Sequence, residues 1–185
     1  MQKILTIDLD YARTFEQKLK IIDIFCKILK TNSKIYFIQQ HHAALPFIAG
    51  DTHLYNIDHH HDIGYSDSPY QHLLQTKNVR EGNWILHSIM NGDIKRYTWI
   101  ANMDSDFKNH HVSEPIRKLE YFKKTFNLSE INDLVFEKTI ICESHDYDQS
   151  TPFLFEILKT IYINQKKEFK KINISNEYAE LIFDK

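Results

Sequence analysis

Two periods of apolar and polar positions take turns along this chain. Lys3–Leu9 (KILTIDL), Lys34–Gln39 (KIYFIQ), His53–Asp58 (HLYNID), Arg96–Ala101 (RYTWIA) and Lys138–Cys142 (KTIIC) are short runs rich in β-branched and aromatic residues, the pattern of strands. Between them, apolar residues recur at helical spacing over Phe15–Leu29, in a short stretch after His42, at Asn83–Met90 (NWILHSIM), near Ile116–Phe126 and over Phe153–Ile163. A strand followed by a helix, about five times over, predicts a compact three-layer α/β/α fold with a mostly parallel sheet. With 185 residues, 42% of them apolar, and only 4 Gly and 4 Pro, the expectation is one compact domain spanning residues 1–185. The Lys-rich Gln165–Lys171 (QKKEFKK) reads as a solvated helix end.

In open parallel sheets, ligands collect outside the carboxyl ends of the strands. The polar residues of this chain crowd there: Asp8 and Asp10 after the first strand, His41 and His42 after the second, Asp58 to Asp62 after the third, Asp104 and Asp106 after the fourth, and Glu143 after the fifth. If the third strand stays extended through IDHHHD, then Asp58, His60 and Asp62 point to one face. Two carboxylates and an imidazole at one edge form a platform for a divalent cation, and hard oxygens with a minority of nitrogen suit Mn(II) better than a thiolate-built zinc site. The plain alternative is a His-rich surface loop.

Asp8 and Asp10 form a second candidate pair, because carboxylates held close together repel unless a cation lies between them. An N-cap role would account for one of the two. Asp104 and Asp106 repeat the Asp-x-Asp spacing, and the sequence leaves both pairs open. KILTIDLD runs apolar directly into its acids and favours Asp8 and Asp10, whereas Asn102–Asn109 has the composition of a polar turn. His110 and His111, before Val-Ser-Glu-Pro, read as solvated loop residues.

Charge narrows the partners. Lys+Arg 23 against Asp+Glu 25 gives a net charge of −2, too balanced for the positive field that binds nucleic acid. No apolar run approaches the roughly 20 residues that cross a bilayer, and acids arrive early in MQKILTIDLDYA, so a cytoplasmic protein is expected. Cys26 and Cys142 form no CxxC pair and are expected to be buried thiols.

Asp-x-His-x-Asp at one strand end with Asp-x-Asp at another resembles the binuclear manganese signature of the arginase and agmatinase ureohydrolases. The likeness extends to the small, divergent peptide arginases through Ile7–Tyr11 (IDLDY), His41–Pro46 (HHAALP), Gly82–Ile85 (GNWI) and Glu143–Pro152 (ESHDYDQSTP), which together span most of the chain. The resemblance implies two Mn(II) ions and conversion of arginine side chains in a ribosomally made precursor peptide to ornithine, with release of urea. It also implies ligation by Asp8, Asp10, Asp58, His60 and Asp62 and by His41 or His42, with His41 favoured by its spacing to Leu45-Pro46. Asp62 or Asp10 would carry the proton to the leaving amine, and Glu143 would orient the guanidinium. The chain departs from the free-arginine enzymes in its shorter length and in placing Asp-x-Asp before the His motif. No clear counterpart of their proton-shuttle histidine is found; His87 is a candidate, with burial in its helix as the alternative. Two other readings compete: a one-zinc deacetylase-like amidohydrolase, and a non-catalytic metal-binding protein.

Overall fold

The computed structural model describes residues 1–64, 79–105, 113–144 and 150–175. Asp106, His110, His111 and the stretch 145–149 of the ESHDYDQSTP segment lie outside them. Six strands form one all-parallel sheet among the described residues: β1 (Gln2–Asp8), β2 (Lys34–Ile38), β3 (Thr52–Ile57), β4 (Ile94–Ile100), β5 (Tyr121–Thr125) and β6 (Lys138–Cys142), in the order β2-β6-β1-β3-β4-β5. The central strands are buried on both faces, as all-parallel sheets require.

Side chains alternate across β1 and divide the core in two. Leu5 and Ile7 join the cluster under α1 (Phe15–Ile28) and the long helix that starts at Thr151, with Phe25, Ile21 and Leu158. Ile4 faces the other way, where Trp84, Ile85 and Ile89 of α2 (Trp84–Met90) and Ala44 of the 3-10 turn His41–Phe47 cover Leu54, Tyr97 and Trp99. These are the helical layers of an α/β/α fold. A capping box fixes the start of α1, with Thr14 Oγ1 accepting from Gln17 N–H while Gln17 Oε1 accepts from Thr14 N–H.

The helical stretch expected over Ile116–Phe126 is different. A short helix α3 (Ser113–Arg117) gives way to strand β5, which pairs with β4 from Arg96↔Tyr121 to Ile100↔Thr125. The open edge of β4 wins here, since Tyr, Phe and Thr fit a pleated half-buried edge better than a helix. The stretch after His42 is the 3-10 turn, held to that form by Pro46. The last helix, α4, runs Thr151–Ser175. Cys142 is buried but Cys26 only half so. No described helix is long and apolar enough to cross a membrane.

The topology fixes where a ligand site can form. From β1 the chain crosses to β2 on one side, then returns to β3 on the other, so the connections diverge between the carboxyl ends of β1 and β3. Asp8 ends β1 at this crevice with Asp10 two residues on, and Asp58 follows β3.

Remote from the crevice, His53 stacks on Tyr55 with ring centroids 4.2 Å apart and meets Thr98 Oγ1 at 2.9 Å. Burial, with Arg96 and Lys3 nearby, lowers its pKa from 6.5 to about 4. A histidine whose folded pKa lies below its unfolded value adds stability that is complete above pH 6.5 and is lost as pH falls toward 4. Allowing for residual solvent contact, that loss is about 2 kcal/mol. Denaturant titrations of wild type and His53→Gln at pH 7 and 4.5 should show the variant losing less stability by that amount.

Candidate metal centre

β1 ends where the chain tightens into the 3-10 turn Leu9–Tyr11, and Asp8 caps it: Oδ1 accepts from Asp10 N–H at 3.2 Å. The other oxygen, Oδ2, turns to the crevice, where Ser144 Oγ donates to it at 2.7 Å. The N-cap and ligand readings of Asp8 therefore describe its two oxygens separately.

The expectation of an extended Asp58–Asp62 is corrected. β3 stops at Ile57, His60 N–H folds back onto Asp58 Oδ1 at 2.7 Å, and Asp62 has a left-handed φ of 52°. The turn is held by partners distant in sequence. Trp99 Nε1 donates to the Asp58 carbonyl at 3.0 Å, Tyr97 Oη to the His61 carbonyl at 3.0 Å, and Trp84 Nε1 to Asp62 Oδ2 at 2.6 Å. Below it, Thr6 and Asn56 stand in register; Thr6 Oγ1 donates to Asn56 Oδ1 at 2.6 Å and Asn56 Nδ2 to Asp58 Oδ2 at 3.1 Å.

Because the turn is folded, its acids and imidazole separate into two groups instead of lining one face. In the first, His41 Nδ1 lies 3.0 Å from Asp8 Oδ2, 3.3 Å from Asp58 Oδ2 and 3.0 Å from Asp62 Oδ2. In the second, His60 Nδ1 lies 2.9 Å from Asp10 Oδ2 and 3.9 Å from Asp58 Oδ1. One donor atom from each of Asp8, His41 and Asp58 lies within 4.8 Å of the others, and so does one from each of Asp10, Asp58 and His60. Asp58 belongs to both, turning one oxygen to each. No family model, curated protein or solved structure matches this chain.

The donor set fits a cation better than it fits a protonated imidazole. A ring N–H can point at one oxygen, yet three carboxylates crowd within 3.3 Å of His41 Nδ1, and Nε2, equally buried, has no hydrogen-bond partner. Asp10 Oδ2, also buried, faces the His60 ring nitrogen at 2.9 Å. Unsatisfied polar atoms converging in a buried space are what metal ligands present without their ion.

The electrostatics agree. Burial pushes Asp58 well above the ordinary carboxylate range, and Asp62, Asp8 and Asp10 push it further. Asp8 is raised by burial and by Asp10. Burial acts the same way on Asp10, but the His60 ring and the His59 amide outweigh it and hold Asp10 low. His41 is driven well above its usual value because Asp8, Asp58 and Asp62 overcome the burial that opposes its charge. The cluster has excess negative charge that a divalent ion would neutralise.

Asp8, Asp10, His41, Asp58, His60 and Asp62 thus come together at one rim, though in two groups rather than on the single extended face expected. His41 is buried against the three carboxylates, whereas its neighbour His42 is half-buried and belongs to neither group of three. Asp104 is exposed; the inward residue of Asp104-Ser105 is Ser105, whose Oγ donates to Asn102 Oδ1 at 2.9 Å. Glu143 is half-buried on the same rim, next to Ser144. His87 is half-buried on α2, its ring 3.3 Å from the Asn91 amide, so full burial in that helix does not describe it. The sequence reading missed Ser144, Trp84, Asn56 and the His59–Asn102 contact at 2.9 Å. Trp84 had a signal in GNWI, whereas Ser144 had only its place after a strand end.

Asp8→Ala should abolish metal retention after dialysis, and Asp104→Ala should retain the wild-type content. Metal analysis of the two variants side by side checks this.

Proposed function

We propose that this chain is a binuclear metallohydrolase that converts arginine side chains of a ribosomally made precursor peptide to ornithine and urea. The observation that carries the reading is the sharing of Asp58 between two Asp/His groups, which supports a paired-ion centre over a single one. The joint likeness of IDLDY, HHAALP, DHHHD and GNWI to peptide arginases supplies the substrate class. Asp8, Asp58, Asp62 and His41 would hold one ion and Asp10, Asp58 and His60 the other, and oxygen-rich sets of this kind favour Mn(II). Bound there, the metal pair supplies Lewis acidity and a water acidic enough to be used near neutral pH.

The protein's own part is orientation and proton handling. Ser144, Trp84 and Asn56 each fix one carboxylate oxygen by a donated hydrogen bond, so Asp8, Asp62 and Asp58 meet the ions already aimed. Glu143 would receive the guanidinium from the rim. Water adds to the guanidinium carbon, the bond from that carbon to the side-chain nitrogen breaks, and the nitrogen leaves as an ammonium after taking a proton. The products are ornithine and urea. Asp10 or Asp62 would carry that proton; Asp10 Oδ2 stands 2.9 Å from the His60 ring nitrogen and Asp62 Oδ2 accepts from Trp84.

A one-ion, zinc deacetylase-like reading draws on the tighter first group, where all three contacts fall between 3.0 and 3.3 Å. Urea and ornithine assayed on arginine-containing peptides and on free arginine, after loading with Mn(II) or Zn(II), separate the two. Urea from peptide with two Mn(II) per chain is expected; one zinc and no urea would refute it.

A further inference from the structure

Asp8, Asp10, His41, Asp58 and Asp62 are all buried, while the His60 side chain keeps 29% of its surface exposed. Among the described residues, the cluster therefore opens on the side of His59 and His60. On that side Asn102 Oδ1 holds His59 Nδ1 at 2.9 Å while its Nδ2 donates to the Tyr11 carbonyl at 3.3 Å. Asn102 and Tyr11 also line a groove of about 600 Å³ between α1 and the segment that follows β5. The groove is thus linked to the candidate centre through Asn102 and His59, whose backbone N–H donates to Asp10 Oδ1 at 3.4 Å.

Its lining describes its occupant. Leu19, Met103 and Phe126 are 50%, 80% and 49% exposed, an unusual concentration of large apolar side chains along one groove. The charges beside them cancel in pairs: Lys20 bonds Glu16 at 2.6 Å and Lys27 bonds Asp23 at 2.7 Å. Such a surface has no net field for an anion, and its alternation of apolar and amide groups suits a peptide backbone carrying uncharged side chains. The volume falls within the roughly 300–1,000 Å³ of small-ligand sites. A free amino acid engaged at the metal cluster would leave it vacant.

We propose that this groove seats the residues flanking the reacting arginine in an extended, uncharged peptide segment, with an apolar side chain among Leu19, Met103 and Phe126. The inference rests on the peptide-hydrolase reading above and adds where the peptide lies.

The test uses Leu19→Glu and Met103→Glu, both at exposed positions, in the full chain. The probes are a fluorescent positional-scanning pool of peptides with arginine at the centre, and N-acetylarginine amide as the minimal substrate. Each variant should keep wild-type metal content and circular dichroism, yet weaken peptide binding, read by anisotropy, about tenfold or more. The ratio of kcat/KM for peptide to that for the minimal substrate should fall by a similar factor. Binding of the pool with wild-type affinity by both variants would overturn the groove assignment. So would a wild-type protein that does not prefer the pool over the minimal substrate. Groove-dependent peptide binding without urea from any substrate would instead sustain the groove and overturn the hydrolase reading.

Discussion

Asp58→Asn should abolish metal binding at both groups at once. Asp58 is the one carboxylate common to the two groups, with Oδ2 3.3 Å from His41 Nδ1 and Oδ1 3.9 Å from His60 Nδ1. An amide carries no charge and presents one acceptor in place of two. Affinity should fall a hundredfold or more for each ion, about 2.7 kcal/mol. Asp10→Asn, which touches the second group alone, should leave one ion bound. The metal-free Asp58→Asn protein should melt within a few degrees of wild type, because the lost acceptor is offset by relief among Asp8, Asp10 and Asp62. Isothermal titration of Mn(II) into the three proteins reads this directly; equal loss in both variants would contradict the bridging role.

Trp84→Phe carries the second large effect. Trp84 is fully buried, donates to Asp62 Oδ2 at 2.6 Å and packs its ring 4.8 Å from that of His41. Phenylalanine keeps the aromatic packing and removes the donor, so Asp62 loses the contact that holds it in its left-handed turn. A ten- to hundredfold loss of metal affinity is expected, the usual cost of deleting a hydrogen bond to a ligand. The fold should lose about 2 kcal/mol from the unfilled volume and the unpaired oxygen. Unchanged metal affinity with lowered stability would mean that Trp84 serves the core alone.

The rim was legible because parallel strands deliver their carboxyl ends to one edge, and KILTIDLD and HLYNID each end in acid. Asp8, Asp10 and Asp58 needed no more than that. The arrangement within the His run was not legible by alternation: the period of two ends at Ile57, and nothing local announces the left-handed Asp62. Trp84 and Ser144 act across 22 and 136 residues of sequence, where no local pattern reaches. The order of the sheet was equally hidden, since β6 inserts between β2 and β1 after all the others have been laid down. Reading Ile116–Phe126 as a helix failed for a related reason, because the pairing edge of β4 belongs to the tertiary structure.

The most direct test of the paired centre is an anomalous difference map from crystals of this protein soaked in Mn(II). The account predicts two peaks, one on each side of the Asp58 carboxylate, the first among Asp8, His41 and Asp62 and the second between Asp10 and His60. A single peak confined to the His41 group, or none near Asp58, would contradict it.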